Sequence, residues 1–371
     1  MSNDYDTGIH DAGRLKELQR LPLERKIMIT QTRILEWYFH YGGSVYLSFS
    51  GGKDSRVLLD LVQRTCPDIP AVFVDTGLEY PEIRKFAQSF ENVVTIYPLW
   101  GKAGKRNGHL HTDRLSFRDV VSVYGYPIIG KEVSECIGQA RISTANGKYA
   151  YRMRRLNGDV KSPGSQMDFS KWKPLYYLPF RISAQCCSAM KKRPANRYAR
   201  QEHRYAITGQ LASESRLRRQ QWIRNGCNGF YMKKPISNPM SFWTEQDVLE
   251  YIVRYNVPIC SVYGEVVRDE KNQKFHCTGC DRTGCIFCAY GFHRERGETR
   301  FQRLMHTHPK QYEYCIGGGQ WIENPKYDAL LTDKECWNPR QIWVPSRSGL
   351  GMGRIFDWCN EIYGKDFMRY E

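Results

Sequence analysis

SVYLSFSGGKDS, residues 44–55, decides the fold. Ser44 to Phe49 is a short run rich in β-formers, and it passes without a spacer into a glycine loop and then into the helical pattern SRVLLDLVQRT, residues 55–65. Strand, glycine loop and helix in this order let several backbone N–H groups and a helix N-terminus converge on one anion, and Lys53 adds positive charge. Residues 48–55 therefore read as a phosphate cradle. It is not a Walker A loop, because that spacing requires glycine at position 47, where Leu47 stands.

Working outward, ERKIMITQTRILEWYFHYGG (24–43) has apolar residues at helical spacing and stops at paired glycines suited to a helix C-cap. On the other side, IPAVFVDTG (69–77) repeats the buried strand, followed by the helix PEIRKFAQSF (81–90) and the strand NVVTIYP (92–98). Strands alternating with helices predict an α/β fold with a doubly wound, mostly parallel sheet covered on both faces. From Arg141 to about Pro174 the chain turns basic, glycine-containing and aperiodic, and is expected to form a lid or binding loop. ANRYARQEH (195–203) predicts a helix and RYAITG (204–209) a strand. FWTEQDVLEYIVRYNV (242–257) predicts an amphipathic helix capped by Thr244, with Val248, Leu249, Ile252 and Val253 on its apolar side. GGGQW (317–321) and SRSGLGMGR (346–354) read as loops in an irregular C-terminal region. The expected divisions are a helical segment 1–43, a nucleotide-binding domain 44–290 with a basic insertion at about 141–176 and a cysteine-rich segment 277–288, and a basic, aromatic region 291–371.

Lys and Arg outnumber Asp and Glu by 55 to 39, a net charge of +16 that attracts polyanions and phosphorylated ligands. No apolar run approaches the roughly 20 residues that span a bilayer, which excludes a helical membrane protein. The first residues show neither a secretion nor a transit pattern, so the expected location is cytoplasmic. Thirteen cysteines in a reducing compartment point to metal or sulfur chemistry rather than to disulfides.

Ser50-Gly51-Gly52-Lys53-Asp54-Ser55 resembles the S-G-G-x-D-S signature of PP-loop ATP pyrophosphatases, which split ATP between the α and β phosphates. Asp75-Thr76-Gly77 followed by Pro81-Glu82 is similar to the D-T-G…P-E motif of the phosphoadenosine phosphosulfate reductase family within that superfamily. Ile207-Thr208-Gly209, then Glu214-Ser215 and Arg218, is similar to the family's T-G…[ED]-S-x-x-R segment, whose basic residues meet the anionic end of the substrate. The resemblance covers about residues 44–290 and implies an adenine nucleotide α-hydrolase-like fold. It implies catalytic roles for Lys53, Asp54 and Ser55, and nucleotide binding by Ser48, Ser50, Gly51, Gly52, Asp75, Thr76, Gly77 and Gly209. It also implies Mg²⁺ on the phosphates, and substrate binding by Glu214, Ser215, Arg216, Arg218 and Arg219.

Cys186-Cys187 and Cys285-x-x-Cys288 fall where cluster-bearing members of that family carry a tandem pair and a later C-x-x-C. Four soft thiolates suit a [4Fe–4S] cluster. Cys277-x-x-Cys280-x4-Cys285-x-x-Cys288 is also a compact set that can fold around Zn²⁺. In relatives that act in DNA phosphorothioation the cluster ligands come from one such segment, so Cys277 or Cys280 replacing a member of the tandem pair stays open. Cys66, Cys136, Cys227, Cys260, Cys315, Cys336 and Cys359 have no ligand spacing and read as small buried hydrophobes.

The sequence departs from the assimilatory reductases. It has no E-C-G-[IL]-H segment, whose cysteine attacks the sulfonucleotide, and Gln210-Leu211-Ala212 stands where an arginine usually follows T-G. What remains resembles sulfur-transfer ATPases that modify DNA or tRNA. The leading expectation is thus an enzyme that adenylates nucleic acid for cluster-dependent sulfur transfer, served by a sulfur-donor protein such as a cysteine desulfurase. A sulfonucleotide reductase with a relocated nucleophile and a non-catalytic nucleotide sensor are the other two readings. His276, His293, His306 and His308 read as ordinary surface or core histidines, and Phe292–Arg303 reads either as a packed helix or as a surface that stacks on bases and touches phosphates.

Overall fold

The computed structural model describes residues 10–100, 104–106, 109–111, 114–142, 147–330 and 337–371. The chain forms two compact units that interleave in sequence: Met1–Asp75, Glu79–Tyr97 and Arg193–Gly284 make the first, and Thr76–Leu78, Pro98–Lys192 and Cys285–Glu371 the second. The divisions expected at 43/44 and 290/291 are therefore not unit boundaries. Residues 291–371 share their unit with 98–192.

The first unit contains helices α1 (Ala12–Arg20), α2 (Leu23–His40), α3 (Lys53–Thr65), α4 (Pro81–Gln88), α8 (Arg193–Gln201), α9 (Arg216–Asn225) and α10 (Glu245–Arg254). Its sheet runs β3 (Val93–Ile96), β2 (Ala71–Val74), β1 (Val45–Phe49), β7 (Tyr205–Thr208), β9 (Ile236–Ser237), β8 (Asn228–Gly229). All pairings are parallel except that of the edge strand β8. Strand order reverses at β1, the switch point at whose carboxyl end doubly wound sheets bind ligands. Alternation along β1 sends Tyr46 toward Tyr198 of α8 (ring centroids 5.2 Å) and Phe49 toward Phe90 just after α4 (5.6 Å), so both faces are covered. The expected doubly wound, mostly parallel α/β fold is what the chain forms.

Helix α2 ends at Gly42 and Gly43, both in the left-handed region at φ +54° and +80°, as the paired glycines predicted. Helix α10 starts at Thr244, which makes a capping box with Asp247. Its buried face holds Val248, Leu249, Tyr251 and Ile252, whereas Val253 is exposed and is corrected from the expected apolar stripe. The Lys26 ammonium of α2 donates to Asp247 Oδ2 at 2.6 Å, a buried pair joining α2 to α10.

The second unit contains α5 (Phe117–Tyr124), α6 (Lys131–Ala140), α7 (Gly147–Asn157), α11 (Arg300–Thr307), α12 (Pro309–Ile316) and α13 (Met352–Tyr363). Its strands form two-stranded ribbons: β4 (Gly104–Arg106) with β5 (His109–His111), β6 (Ile128–Ile129) with β12 (Ala289–Tyr290), and β13 (Gln320–Glu323) with β14 (Gln341–Val344). The first unit adds the hairpin β10 (Val266–Arg268) and β11 (Phe275–Cys277).

Two expectations about loops are corrected. The basic insertion carries α7 and a 3-10 helix, Ser170–Tyr177, rather than a lid without regular structure; residues 143–146 lie outside the described residues. The Arg141 guanidinium is also not offered to solvent. It donates to the carbonyl oxygens of Leu175, Tyr176, Leu178 and Phe180 at 2.5–3.1 Å and lies over the Trp337 ring at 4.5 Å. SRSGLGMGR likewise runs into α13, whose Met352, Ile355, Phe356 and Cys359 are fully buried. Among the described residues no helix is long and apolar enough to cross a membrane.

Candidate functional site

β1 delivers the chain into the loop Ser50–Gly52, and α3 starts immediately behind it. Gly51 sits at φ +74°, and a Cβ there would meet Ile83 Cγ2 at 2.9 Å, so both its conformation and its neighbour demand glycine. Hydroxyls close the turn. Ser50 N–H donates to Ser55 Oγ at 3.2 Å, the Ser50 and Ser55 hydroxyl oxygens lie 2.9 Å apart, and Ser55 Oγ donates to Gly52 O at 2.9 Å. Gly209, at the end of β7, packs its backbone on the first turn of α3, where a Cβ would come within 3.3 Å of Asp54 O. The result is a helix N-terminus at the carboxyl end of the central strand, the arrangement that binds phosphate.

Several expected ligands have other partners. Lys53, expected to add charge to the cradle, is buried. Its ammonium donates to Asp281 O at 2.5 Å and pairs with Glu245 Oε1 at 2.9 Å. The Lys53 N–H donates to Tyr263 OH at 3.3 Å, and that hydroxyl lies 2.6 Å from Thr283 Oγ1. Asp281–Thr283 thus sits beside the loop. Burial pushes the Asp54 carboxyl up, while the charges of Lys53, Arg282 and Arg218 pull it down. Burial in turn lowers the Arg218 guanidinium, and Asp54 raises it. The charges of Arg218 and exposed Arg282 thus bear on the Asp54 carboxyl, and Arg218 also pairs with Glu214. Arg216 and Arg219 are exposed on another side of α9. Ser215 is the N-cap of α9, accepting from Arg218 N–H at 3.3 Å. The Asp75 carboxylate is fully buried and accepts from Arg84 Nε at 2.7 Å. Ser48 lies in β1, half-buried.

In the second unit, Thr76 Oγ1 accepts from Leu78 N–H at 3.1 Å, Gly77 turns at φ +72°, and Leu78 O accepts from Ile286 N–H at 2.8 Å. That last bond holds the Cys285–Cys288 turn, which Cys288 N–H closes on Cys285 O at 3.0 Å before β12 begins. Cys186 and Cys187 lie just ahead of a short π-helix, Ser188–Lys192, with their sulfurs 3.9 Å apart. The four thiols feel one another: a hydrogen bond with Cys187 and burial raise Cys186, and the charges of Cys187, Cys288 and Cys285 add to the shift. Cys187 is drawn down by its bond to Cys186 and by Lys131, Lys191 and Lys192. Burial raises Cys288, and the Tyr290 N–H and Arg300 oppose it. Soft donors in cationic surroundings fit an anionic iron–sulfur group. Among the described residues no three His, Cys, Asp or Glu side chains converge closely enough to hold a metal ion as they stand.

Cys277 and Cys280 belong to the first unit, where Cys277 ends β11 and Cys280 N–H donates to Val262 O at 2.9 Å. Cys66, Cys136, Cys227, Cys260, Cys315 and Cys359 are buried as expected, and Cys336 lies outside the described residues. His276 and His306 are exposed and His308 is half-buried, whereas His293 packs among aromatic rings. The sequence reading missed Tyr263, Arg282 and Thr283. The signal available was the position of Arg282 and Thr283 inside the cysteine-rich segment.

A glycine loop ahead of a helix at the switch point of a doubly wound sheet, in a chain that also carries a group of thiols, is a mostly parallel α/β architecture. The phosphoadenosine phosphosulfate reductase domain matches residues 44–103 and 148–290, more than half of the chain, and the chain belongs to that family. An adenosine 5′-phosphosulfate reductase of Oceanobacillus iheyensis is 24% identical over 263 residues, 69% of this chain and 76% of that protein. A phosphoadenosine 5′-phosphosulfate reductase of Xylella fastidiosa is 35% identical over 105 residues, 26% of this chain. The match spans less than half of that relative's length, 44%. A solved phosphoadenylyl-sulfate reductase from Candida auris, in a phosphate complex, aligns over 68% of this chain and 90% of that one, with 16% identity and a TM-score of 0.33.

Proposed function

We propose that this chain is an ATP-dependent enzyme that transfers an adenylyl group to an acceptor, a nucleic acid, as the activating step of sulfur insertion. The observation that carries the reading is the loop Ser50–Ser55 at the end of β1 with Arg218 and Arg282 in reach of Asp54. The helix N-terminus and the two arginines would bind and orient the phosphates, with Mg²⁺ accompanying ATP. An acceptor oxygen attacks the α-phosphorus, the bond to the α–β bridging oxygen breaks, and pyrophosphate leaves with the electron pair. Its growing charge would be met by the loop amides and by the two arginines whose charge bears on Asp54, the condition for electrostatic catalysis. A sulfur nucleophile delivered by a donor protein then displaces AMP.

Cys186, Cys187, Cys285 and Cys288 would hold a [4Fe–4S] cluster, which supplies redox and sulfur chemistry when bound. The cations Lys131, Lys191, Lys192 and Arg300, whose charges bear on Cys187 and Cys288, would offset the negative charge of such a cluster.

A second reading, reduction of adenylyl sulfate or its 3′-phosphorylated form to sulfite, is favoured by the reductases among the relatives. Against it, the late thiols Cys315 and Cys359 are fully buried, and burial pushes Cys359 up to about 12 and Cys315 well above its ordinary value. Neither is poised to attack a sulfonucleotide. The two readings separate on products. Anaerobically purified protein should release pyrophosphate from ATP when DNA or tRNA is added; sulfite from either sulfonucleotide, with no pyrophosphate from ATP, would overturn the reading in favour of reduction.

A further inference from the structure

The second unit contains a cleft of about 720 Å³, lined by none of the cysteines, that no role yet covers. It is formed where the basic insertion, Gly164–Trp172, meets His293 and Arg294 and the C-terminal Phe367. The two stretches that sequence left with open readings therefore share one wall.

Its floor is aromatic. The His293 ring stacks on Phe367 with centroids 5.0 Å apart at 26°, and meets the edge of Trp172 at 5.4 Å. Tyr363 braces this floor, donating from its hydroxyl to Lys171 O at 2.8 Å. Its rim is cationic. Lys171 and Arg294 are exposed, and among the described residues neither has a carboxylate within ion-pair distance. The one acid in the lining, Asp168, is already engaged: its carboxylate accepts from Gly164 N–H at 2.8 Å and Ser170 N–H at 2.9 Å, holding the rim in shape. His293 Nδ1 is buried and has no hydrogen-bond partner among the described residues, a cost unless a ligand or water meets it. Burial, with Arg294 and Lys171 nearby, draws His293 down to about 4, so the ring is neutral at ordinary pH.

An anion with a flat, apolar body satisfies each of these features. Two cations take the charge, the aromatic floor takes the ring, and the volume lies inside the roughly 300–1,000 Å³ range of small-ligand clefts. We infer that the cleft lined by Lys171, Trp172, His293 and Arg294 binds a nucleoside phosphate, either free or as one unit of a strand. The inference rests on the nucleic-acid half of the proposed function and not on its ATP chemistry, so the two can fail separately.

The test is anisotropy of a fluorescein-labelled, 5′-phosphorylated oligothymidylate titrated with the anaerobically purified full chain, without ATP. The variant Lys171→Glu/Arg294→Glu should bind at least about tenfold more weakly, whereas Lys233→Glu/Lys234→Glu, the same charge change at exposed lysines elsewhere, should stay within about twofold. His293→Gln, which leaves the charge alone, should also weaken binding by altering the floor. Competition by thymidine monophosphate would assign the cleft to free nucleotides, and its failure to compete would assign it to a strand. Equal losses in both charge variants, or no binding by the unaltered protein, would overturn the inference. A Lys171→Glu/Arg294→Glu protein that binds the strand normally while ATP turnover still depends on nucleic acid would remove the cleft and leave the proposed function standing.

Discussion

The buried ammonium of Lys53 donates to the main-chain carbonyl of Asp281 at 2.5 Å, fastening the cysteine-rich segment to the first residue of α3. Tyr263 makes the second fastening, between Lys53 N–H and Thr283 Oγ1. The Ser50–Ser55 loop and the stretch leading into Cys285 are thus held as one piece within the first unit as far as Gly284.

Lys53→Met removes this bond and the pair with Glu245 while keeping most of the side chain's bulk. The expected cost is about 1–3 kcal/mol of stability, the range for losing a buried charge-assisted hydrogen bond. Hydrogen exchange checks it locally: the amides of 278–283 should exchange faster, and those of α1, remote in sequence, should not.

Arg141 acts as a strut, with four carbonyl oxygens around one guanidinium. Arg141→Ala leaves those carbonyls short of donors and should destabilise the protein by roughly 3 kcal/mol, read in a thermal or denaturant melt. Arg141→Lys should recover only part of this, because an ammonium cannot reproduce the planar fork.

Much of the nucleotide half was legible in sequence because its signals are local. A strand that runs into SGGKDS and a following apolar helix specify their own geometry, and the paired glycines after α2 mark its end. The remainder depends on long-range packing. Helix α7 shows no apolar stripe: among its described side chains Leu156 alone is fully buried, while Arg155 lies over the Phe169 ring at 3.8 Å. The glycines before α13 read as a loop, yet Gly351 is its N-cap at φ +68° and Gly353 allows close approach to Ile316. The charge of Arg282 bears on Asp54 from a stretch that Tyr263 and Lys53 fix beside the loop, a relation across 228 positions of chain between Lys53 and Asp281.

His293 gives a stability signature. Its folded value, about 4, is below the ordinary 6.5, so between those values the unfolded chain takes up the proton first. Stability should therefore be lost as pH falls from 6.5 toward 4 and level off below, while the Asp168 carboxyl of the same cleft is held below its ordinary value by the N–H groups of Gly164 and Ser170. Melting temperature against pH should be flatter in His293→Gln.

Metal content tests the thiol group independently of activity. Anaerobic protein should contain about four irons per chain with matching sulfide and a broad absorbance in the visible. Cys285→Ser/Cys288→Ser should lose all three, and so should Cys186→Ser/Cys187→Ser. One zinc and no iron, unaffected in the Cys186→Ser/Cys187→Ser protein, would instead assign the site to Cys277, Cys280, Cys285 and Cys288.

The most direct test of the central claim is which bond of ATP is cut. Protein incubated with ATP labelled at the α-phosphate, Mg²⁺ and nucleic acid should release unlabelled pyrophosphate and put the label into an adenylated acceptor or AMP, with both products lost in Arg218→Ala/Arg282→Ala. Labelled ADP with inorganic phosphate, or intact ATP under every condition, would contradict the account.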